Sequence, residues 1–128
     1  MTDGLVLVDT CAWIDFLRYQ EGELGNHVAV LIENNQVAIT GVIIAELLQG
    51  VKTEKQKQQI NLLINSITSF PTQAVDWVNA GLLLQELRCR GITLPLTDAL
   101  IAVIAQRYQV KVLTIDKHFH HLAVELYV

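Results

Sequence analysis

The stretch Leu5-Val6-Leu7-Val8-Asp9-Thr10 joins an unbroken apolar run to an acid and a hydroxyl. Such a run is typical of a strand that is buried on both faces, as in a parallel sheet. Similar runs alternate with helical periodicity along the chain, which predicts an α/β fold with a central, mainly parallel, twisted sheet flanked by helices. The 128 residues suit one domain, and no repeat or linker divides residues 1–128.

The periodicity of the apolar residues predicts the individual elements. Strands are expected at 5–8, 36–39, 69–72, 111–114 and 124–127. Helices are expected at 10–20, 25–34, 41–50, 53–67, 74–90, 97–109 and 118–122. The helix at 41–50 is expected to be mostly buried, and Thr97 is the predicted N-cap of the helix at 97–109.

The composition excludes several classes of protein. Nine basic and 13 acidic residues give a net charge of −4, which argues against a binder that holds nucleic acid through a general basic surface. The two cysteines form no metal-binding or disulfide pattern. Residues 1–4 lack the basic start of a signal peptide, and the longest apolar stretch, 37–48, is too short and polar to span a bilayer. We therefore expect a cytoplasmic protein without a membrane partner.

Four acids fall near the carboxyl ends of the predicted strands, where functional groups gather in open α/β sheets. Asp9 ends the first strand, and Asp116 follows the strand at 111–114 by two residues. Asp98 lies in the first turn of one helix, and Glu46 lies about a turn and a half into another. All four side chains are therefore expected at one edge of the sheet.

Each acid also has a purely structural interpretation. The three aspartates could cap helices or interact with a helix dipole. Glu46 fits such a role poorly because its neighbours are apolar, unless a base such as Arg18 or Arg107 pairs with it. Four carboxylates at one edge would repel one another, and a divalent cation would relieve that repulsion. Oxygen ligands favour Mg²⁺ or Mn²⁺, which suits hydrolysis of a phosphodiester.

Four sequence motifs contain these acids. They are Val6-Leu7-Val8-Asp9-Thr10-Cys11-Ala12-Trp13-Ile14-Asp15-Phe16-Leu17-Arg18, Ala45-Glu46-Leu47-Leu48-Gln49-Gly50, Leu96-Thr97-Asp98-Ala99-Leu100-Ile101-Ala102 and Leu113-Thr114-Ile115-Asp116-Lys117-His118-Phe119. The set resembles the PIN-domain ribonucleases, in particular the VapC-type toxins of bacterial toxin–antitoxin pairs. The motifs follow the family's order and span nearly the whole chain.

The resemblance implies a PIN fold and a metal-dependent endoribonuclease that hydrolyses RNA. It implies that the three aspartates bind Mg²⁺ or Mn²⁺ and that Glu46 contacts the ion directly or through water. The implied catalytic acids are Asp9, Glu46, Asp98 and Asp116, and the supporting hydroxyls are Thr10 and Thr114. The family usually forms homodimers that are silenced by a small VapB-type antitoxin, whose C-terminal segment covers the catalytic groove. DNA binding is then expected only through the antitoxin.

Several other residues are open to more than one interpretation. Many relatives have Ser at the position of Cys11, and a thiol is a weaker hydrogen-bond donor than a hydroxyl. The simpler interpretation of Cys11 is a small core residue. Asp15 is expected to be solvated and Asp76 to serve the first turn of its helix. His118, His120 and His121 lie too close together on one short helix to bind one ion, so exposure is expected.

Other classes of protein fit this sequence less well than a ribonuclease. A phospho-receiver-type signalling domain needs an aspartate after a middle strand, yet no aspartate lies between Asp15 and Asp76. A phosphatase with an aspartyl nucleophile needs a second aspartate in place of Cys11. A catalytically weak PIN-like binding module remains an alternative, because Cys11 departs from the family's usual serine.

Overall fold

The structure is a computed structural model that describes residues 4–18 and 22–128. Its sheet has four strands, all parallel: β1 (Val6–Val8), β2 (Val37–Thr40), β3 (Thr68–Phe70) and β4 (Lys111–Leu113). Six α-helices alternate with them: α1 (Thr10–Arg18), α2 (Glu23–Glu33), α3 (Gly41–Gln49), α4 (Glu54–Ser66), α5 (Ala74–Cys89) and α6 (Leu96–Tyr108). A 3₁₀ helix, Lys117–His121, follows β4. The α/β fold with a central parallel sheet is confirmed.

The strand order β3-β2-β1-β4 decides where a functional site can form. The chain winds from β1 outward to β2 and β3, and then returns past β1 to add β4 on the other side. With right-handed crossovers, this reversal places α1–α4 on one face of the sheet and α5–α6 on the opposite face. A crevice therefore opens between the carboxyl ends of β1 and β4, at the point where the winding reverses.

Burial explains why the strands are apolar throughout. Every residue of β1 and β2 is buried, since helices cover both faces of the sheet. Helix α6 is buried continuously from Asp98 to Ala105, which is why its sequence is apolar around the whole helix. Helix α6 thus carries Asp98 into the interior at the carboxyl edge of the sheet.

An ion pair joins α5 to α6. Asp76 is 1% exposed, closes a capping box with Gln73 at the start of α5, and accepts two 2.8 Å hydrogen bonds from Arg107. Arg107 also donates to the Pro71 carbonyl at 2.8 Å and lies 4.5 Å from the ring centroid of Tyr108. The expected role of Asp76 in the first turn of its helix is confirmed, and the pair additionally fixes α6.

Three expectations about single elements are wrong. The segment 124–127 forms only one parallel bridge, between Leu126 and Val112, because Ala123 has a left-handed backbone (φ 51°) that turns the chain just before it. Helix α6 begins at Leu96, directly after Pro95, so Thr97 is not its N-cap. Helix α3 buries only Ile43 and Leu47, since it packs by one face.

The remaining predicted helices agree with the structure to within two residues at each end. The prediction of a helix at 10–20 extends beyond Arg18 into residues outside the described ranges. No helix in residues 4–18 or 22–128 has the length and apolar character needed to cross a membrane.

Candidate active site

The structure brings the four predicted acids to the carboxyl edge of the sheet. Asp9 directly follows β1, and Asp116 lies three residues after the end of β4. Glu46 is on α3, and Asp98 is the third residue of α6. The charge of Asp98 acts on Asp9, and the charges of Asp116 and Glu46 act on Asp98, so these carboxylates lie near one another.

Asp9 is the most firmly held carboxylate of the site. It is only 6% exposed, and its Oδ1 accepts a 2.8 Å hydrogen bond from the backbone N–H of Thr10. Its Oδ2 accepts a 2.8 Å bond from the hydroxyl of Thr114. Burial raises the pKa of Asp9, and the nearby charge of Asp98 raises it further, although the hydrogen bonds oppose the shift. The carboxylate is therefore oriented, yet its negative charge is incompletely compensated.

The hydroxyl of Thr114 joins the ends of two neighbouring strands, β1 and β4. It donates to Asp9 and accepts a 3.0 Å hydrogen bond from the backbone N–H of Asp116. One hydroxyl proton and one acceptor position are thus used. Because Thr114 follows β4 and Asp9 follows β1, this residue fixes the spacing of two acids that are far apart in sequence.

Glu46 is held by a different hydroxyl. The Thr10 side chain donates to Glu46 Oε1 at 2.8 Å, so α1 positions an acid of α3. Glu46 is half-buried. Its apolar neighbours predict deeper burial, but α3 packs against the protein by one face only. In the described part of the chain Glu46 has no ion-pair partner, and Arg107 instead binds Asp76.

His118 joins Asp98 to Asp116, a contact that the sequence analysis missed. Its Nδ1 lies 2.7 Å from Asp98 Oδ2 and 3.1 Å from Asp116 Oδ1. The hydrogen bond to Asp98 raises the pKa of His118. Burial raises the pKa of Asp98, with Asp116 and Glu46 adding to the shift and His118 opposing it.

A local turn explains how His118 reaches these acids. The Asp116 carboxylate caps the 3₁₀ helix by accepting a 2.9 Å hydrogen bond from the His118 backbone N–H. This turn folds the imidazole back over Asp116, although the side chain remains 45% exposed. The expectation that His118 is merely exposed is therefore wrong. An Asp-x-His spacing within a few residues of the end of a strand is the sequence signal that indicates the contact.

Two further residues differ from expectation. Cys11 is half-buried at the site, with its Sγ 3.6 Å from Asp9 Oδ2 and 3.5 Å from Thr114 Oγ1, so it is more than a small core residue. Burial raises the pKa of the Cys11 thiol, which keeps it protonated and able to donate.

Asp15 is half-buried and accepts a 2.7 Å hydrogen bond from the Gly25 N–H in the first turn of α2, so it is not simply solvated.

The donor set suits a hard or borderline divalent cation. Ligand atoms of Asp98, Asp116 and His118 lie within 4.8 Å of one another. Burial raises the pKa values of Asp9 and Asp98 at this edge, and neighbouring carboxylates raise them further, so negative charge is costly here. A divalent cation would neutralise that charge, so these residues fit Mg²⁺ or Mn²⁺. The resulting centre could polarise a phosphodiester and orient a water molecule.

Comparison with known proteins identifies relatives along nearly the whole chain. Ribonuclease VapC11 of Mycobacterium tuberculosis is 26% identical over 123 residues, covering 93% of this chain and 92% of its own. Ribonuclease VapC2 of Rickettsia felis is 26% identical over 102 residues, covering 77% of this chain and 76% of its own. A crystal structure of VapBC2 from Rickettsia felis, bound to a promoter DNA fragment, matches with a TM-score of 0.80 at 21% identity, covering 96% and 97% of the two chains.

The family assignment agrees with the site geometry. The PIN domain family model matches residues 6–125, a range that includes all four acids and the hydroxyls of Thr10 and Thr114. The likeness to the solved structure independently supports the same fold. This chain belongs to the PIN domain family.

Proposed function

We propose that this protein is a ribonuclease of the VapC type, the toxin of a type II toxin–antitoxin system. The single observation that supports this most strongly is the acidic cluster at the reversal point of the sheet, in a chain whose relatives are ribonucleases. Asp9, Asp98 and Asp116 provide the oxygen ligands for Mg²⁺ or Mn²⁺. Glu46 acts on the ion directly or through water.

The reaction in this proposal is endonucleolytic hydrolysis of an RNA phosphodiester. A bound divalent cation supplies charge stabilisation for the phosphate under attack. Thr114 keeps Asp9 and Asp116 at a fixed spacing through its two hydrogen bonds. Glu46, oriented by Thr10, accepts a hydrogen bond from the attacking water. Each hydroxyl therefore orients an acid and does not itself react.

The proposed inhibitor is a VapB-type antitoxin, and DNA is contacted only through it. A groove between α1, α3 and α4 adjoins Glu46 and has apolar walls formed by Ile14, Leu17, Leu47, Val51 and Ile60. An amphipathic antitoxin segment fits there, since its apolar face would fill the groove while a basic residue reached the acids. The Rickettsia felis VapBC2 structure, which contains promoter DNA, supports a VapB-type partner for this chain.

We infer that two copies associate through α5. Three apolar side chains at helical spacing are largely exposed on one face of this helix: Val75 (46%), Val78 (59%) and Leu82 (61%). A contiguous apolar face of this kind favours a second copy, because a two-fold interface pairs the same patch on both subunits. A cytoplasmic location is part of the same proposal, since RNA and the antitoxin must both be accessible.

The test of the proposed function is growth arrest in a bacterial host. Expression of the wild-type chain should arrest growth, and co-expression of the short reading frame next to its gene should relieve the arrest. The Asp9→Asn variant should be harmless at equal abundance. Glu86→Gln, which removes an exposed carboxylate from α5, is the matched control and should remain toxic. Arrest by Asp9→Asn as strong as by the wild type would overturn the proposal.

A further inference from the structure

His118 contributes a nitrogen donor to the acidic cluster, and its position suits a metal ligand. Its Nδ1 lies 2.7 Å from Asp98 Oδ2 and 3.1 Å from Asp116 Oδ1. Among the residues that the structure describes, these three form the one group whose ligand atoms all lie within 4.8 Å. The four acids alone do not meet that condition, so the histidine completes the most compact set of donors.

The spacing of these atoms is compatible with coordination of one ion. A cation of this size binds its ligands at about 2.0–2.1 Å in octahedral geometry, so adjacent ligand atoms are separated by about 3 Å. The observed separations of 2.7 and 3.1 Å lie on either side of that value. A cation can therefore take the place of the proton that Nδ1 shares with the carboxylates, with little movement of the ring.

A purely structural role for the imidazole explains less. The backbone already fixes Asp116, whose N–H donates to Thr114 and whose Oδ1 accepts from the His118 N–H. Helix α6 fixes Asp98 in the interior. The imidazole is therefore not needed to place Asp116, and helix α6 places the backbone of Asp98 without it. Its side chain is 45% exposed, so an ion can reach it from solvent.

We propose that His118 is a nitrogen ligand of the divalent cation and makes the site prefer Mn²⁺ over Mg²⁺. This inference rests on the proposed function, because it takes the acidic cluster to be a cation site. Imidazole binds transition-metal ions well, whereas Mg²⁺ favours oxygen ligands and retains its waters. A site made of carboxylates alone would discriminate little between Mn²⁺ and Mg²⁺. The imidazole of His118 supplies that discrimination.

The test measures metal binding to the purified full chain without RNA. Isothermal titration with Mn²⁺ and with Mg²⁺ gives the affinity ratio for the wild type, His118→Asn and His118→Asp. We expect His118→Asn to lower the Mn²⁺ affinity about tenfold with little change for Mg²⁺. His118→Asp should strengthen Mg²⁺ binding relative to Mn²⁺. His120→Asn, on the exposed side of the same 3₁₀ helix, is the matched control and should bind as the wild type.

A spectroscopic measurement reports the ligand directly. Pulsed electron paramagnetic resonance of the Mn²⁺-loaded wild type should show coupling to an imidazole nitrogen, which His118→Asn removes and His120→Asn retains. Mn²⁺ binding without nitrogen coupling would overturn the role of His118 while leaving the proposed function intact. Failure of the wild type to bind either ion would overturn both proposals.

Discussion

At the scale of single residues, the buried carboxylates oppose folding in the absence of a cation. Asp9 is 6% exposed and Asp98 is 8% exposed, and burial raises the pKa of each. A raised pKa in the folded state means that the charged form is less stable there than in the unfolded chain. The residues that we propose to bind a cation thus destabilise the metal-free protein, as functional sites commonly do.

The first prediction is that Asp9→Asn stabilises the metal-free protein. The amide keeps an oxygen for the Thr10 N–H but has no charge to desolvate. We expect the free energy of unfolding to rise by about 1 kcal/mol, measured by urea denaturation in the presence of a chelator. Glu86→Gln should leave it unchanged. A loss of stability in Asp9→Asn would show that the carboxylate contributes to folding.

The second prediction concerns the pH dependence of the same metal-free protein. Since the folded-state pKa values of Asp9 and Asp98 are raised, their destabilisation is present above those values and is removed as the pH falls through them. The raised pKa of His118 adds stability at low pH that is lost as the pH rises through it. Unfolding should therefore require more urea at about pH 5.5 than at about pH 8. His118→Asn should flatten that profile, because the raised pKa of His118 is the one that falls in this pH range, and an unchanged slope would contradict the assignment.

The third prediction concerns the hydroxyl of Thr114 as a positioning group. Thr114→Val keeps the shape of the side chain but removes the donor to Asp9 and the acceptor for the Asp116 N–H. We expect divalent-cation affinity to fall about tenfold, measured by isothermal titration, because orienting partners typically have effects of this size. Thr114→Ser should restore binding. Equal affinity in the valine variant would show that Thr114 does not position the acids.

At the scale of elements, the Asp76–Arg107 pair fixes the helix that presents Asp98. Arg107, helped by the Gln73 N–H, holds the pKa of Asp76 below its usual value. The stability from this carboxylate is therefore present above the ordinary pKa and is lost as the pH falls through the lowered one. The pair joins the start of α5 to the end of α6, 31 residues apart in sequence.

The fourth prediction is that Asp76→Asn destabilises the fold without altering the chemistry. Loss of one partner leaves Arg107 without its carboxylate, and we expect a cost of about 2–3 kcal/mol in urea denaturation. RNA cleavage per folded molecule should be unchanged at a temperature where the variant is folded. A selective loss of cleavage would indicate that α6 moves the site when the pair is broken.

These elements also show what sequence can predict. The edge position of Asp9 and Asp116 follows from strand ends alone, since parallel strands bring their carboxyl ends together. The contact of His118 does not, because it depends on a 3₁₀ turn that Asp116 itself caps. The sequence does not assign Arg107 to Asp76 rather than Glu46, because helix packing, and not separation along the chain, decides between two distant partners. The burial of α3 was overestimated because apolar content does not reveal how many faces a helix packs.

At the scale of the whole molecule, the acidic excess reflects the site. When Asp9, Glu46, Asp98 and Asp116 are set aside, nine acidic residues remain against nine basic ones. A bound divalent cation would offset part of the remaining local charge. The exposed lysines at 52, 55 and 57 remain free to attract phosphate. Net charge alone therefore does not exclude RNA as a substrate.

The fifth prediction concerns the oligomeric state. The wild-type chain should be a dimer by size-exclusion chromatography with light scattering, and Val78→Glu with Leu82→Glu should produce a monomer. Burying a charge in an apolar interface is costly, so the effect should be complete at micromolar concentration. Leu62→Glu alters an exposed apolar residue on α4 and should remain dimeric. A double variant that stays dimeric would place the interface elsewhere.

The central claim is that the acids at the sheet edge hold a cation and cut RNA. The most direct measurement is cleavage of a mixed cellular RNA substrate by purified wild-type protein, Asp9→Asn and Glu86→Gln, with Mg²⁺, with Mn²⁺ and with a chelator. We predict cleavage by the wild type and Glu86→Gln with either ion, none with the chelator, and at least a hundredfold loss in Asp9→Asn, about the size expected for removal of an essential charge-stabilising group. Metal-independent cleavage, or full activity in Asp9→Asn, would contradict the claim.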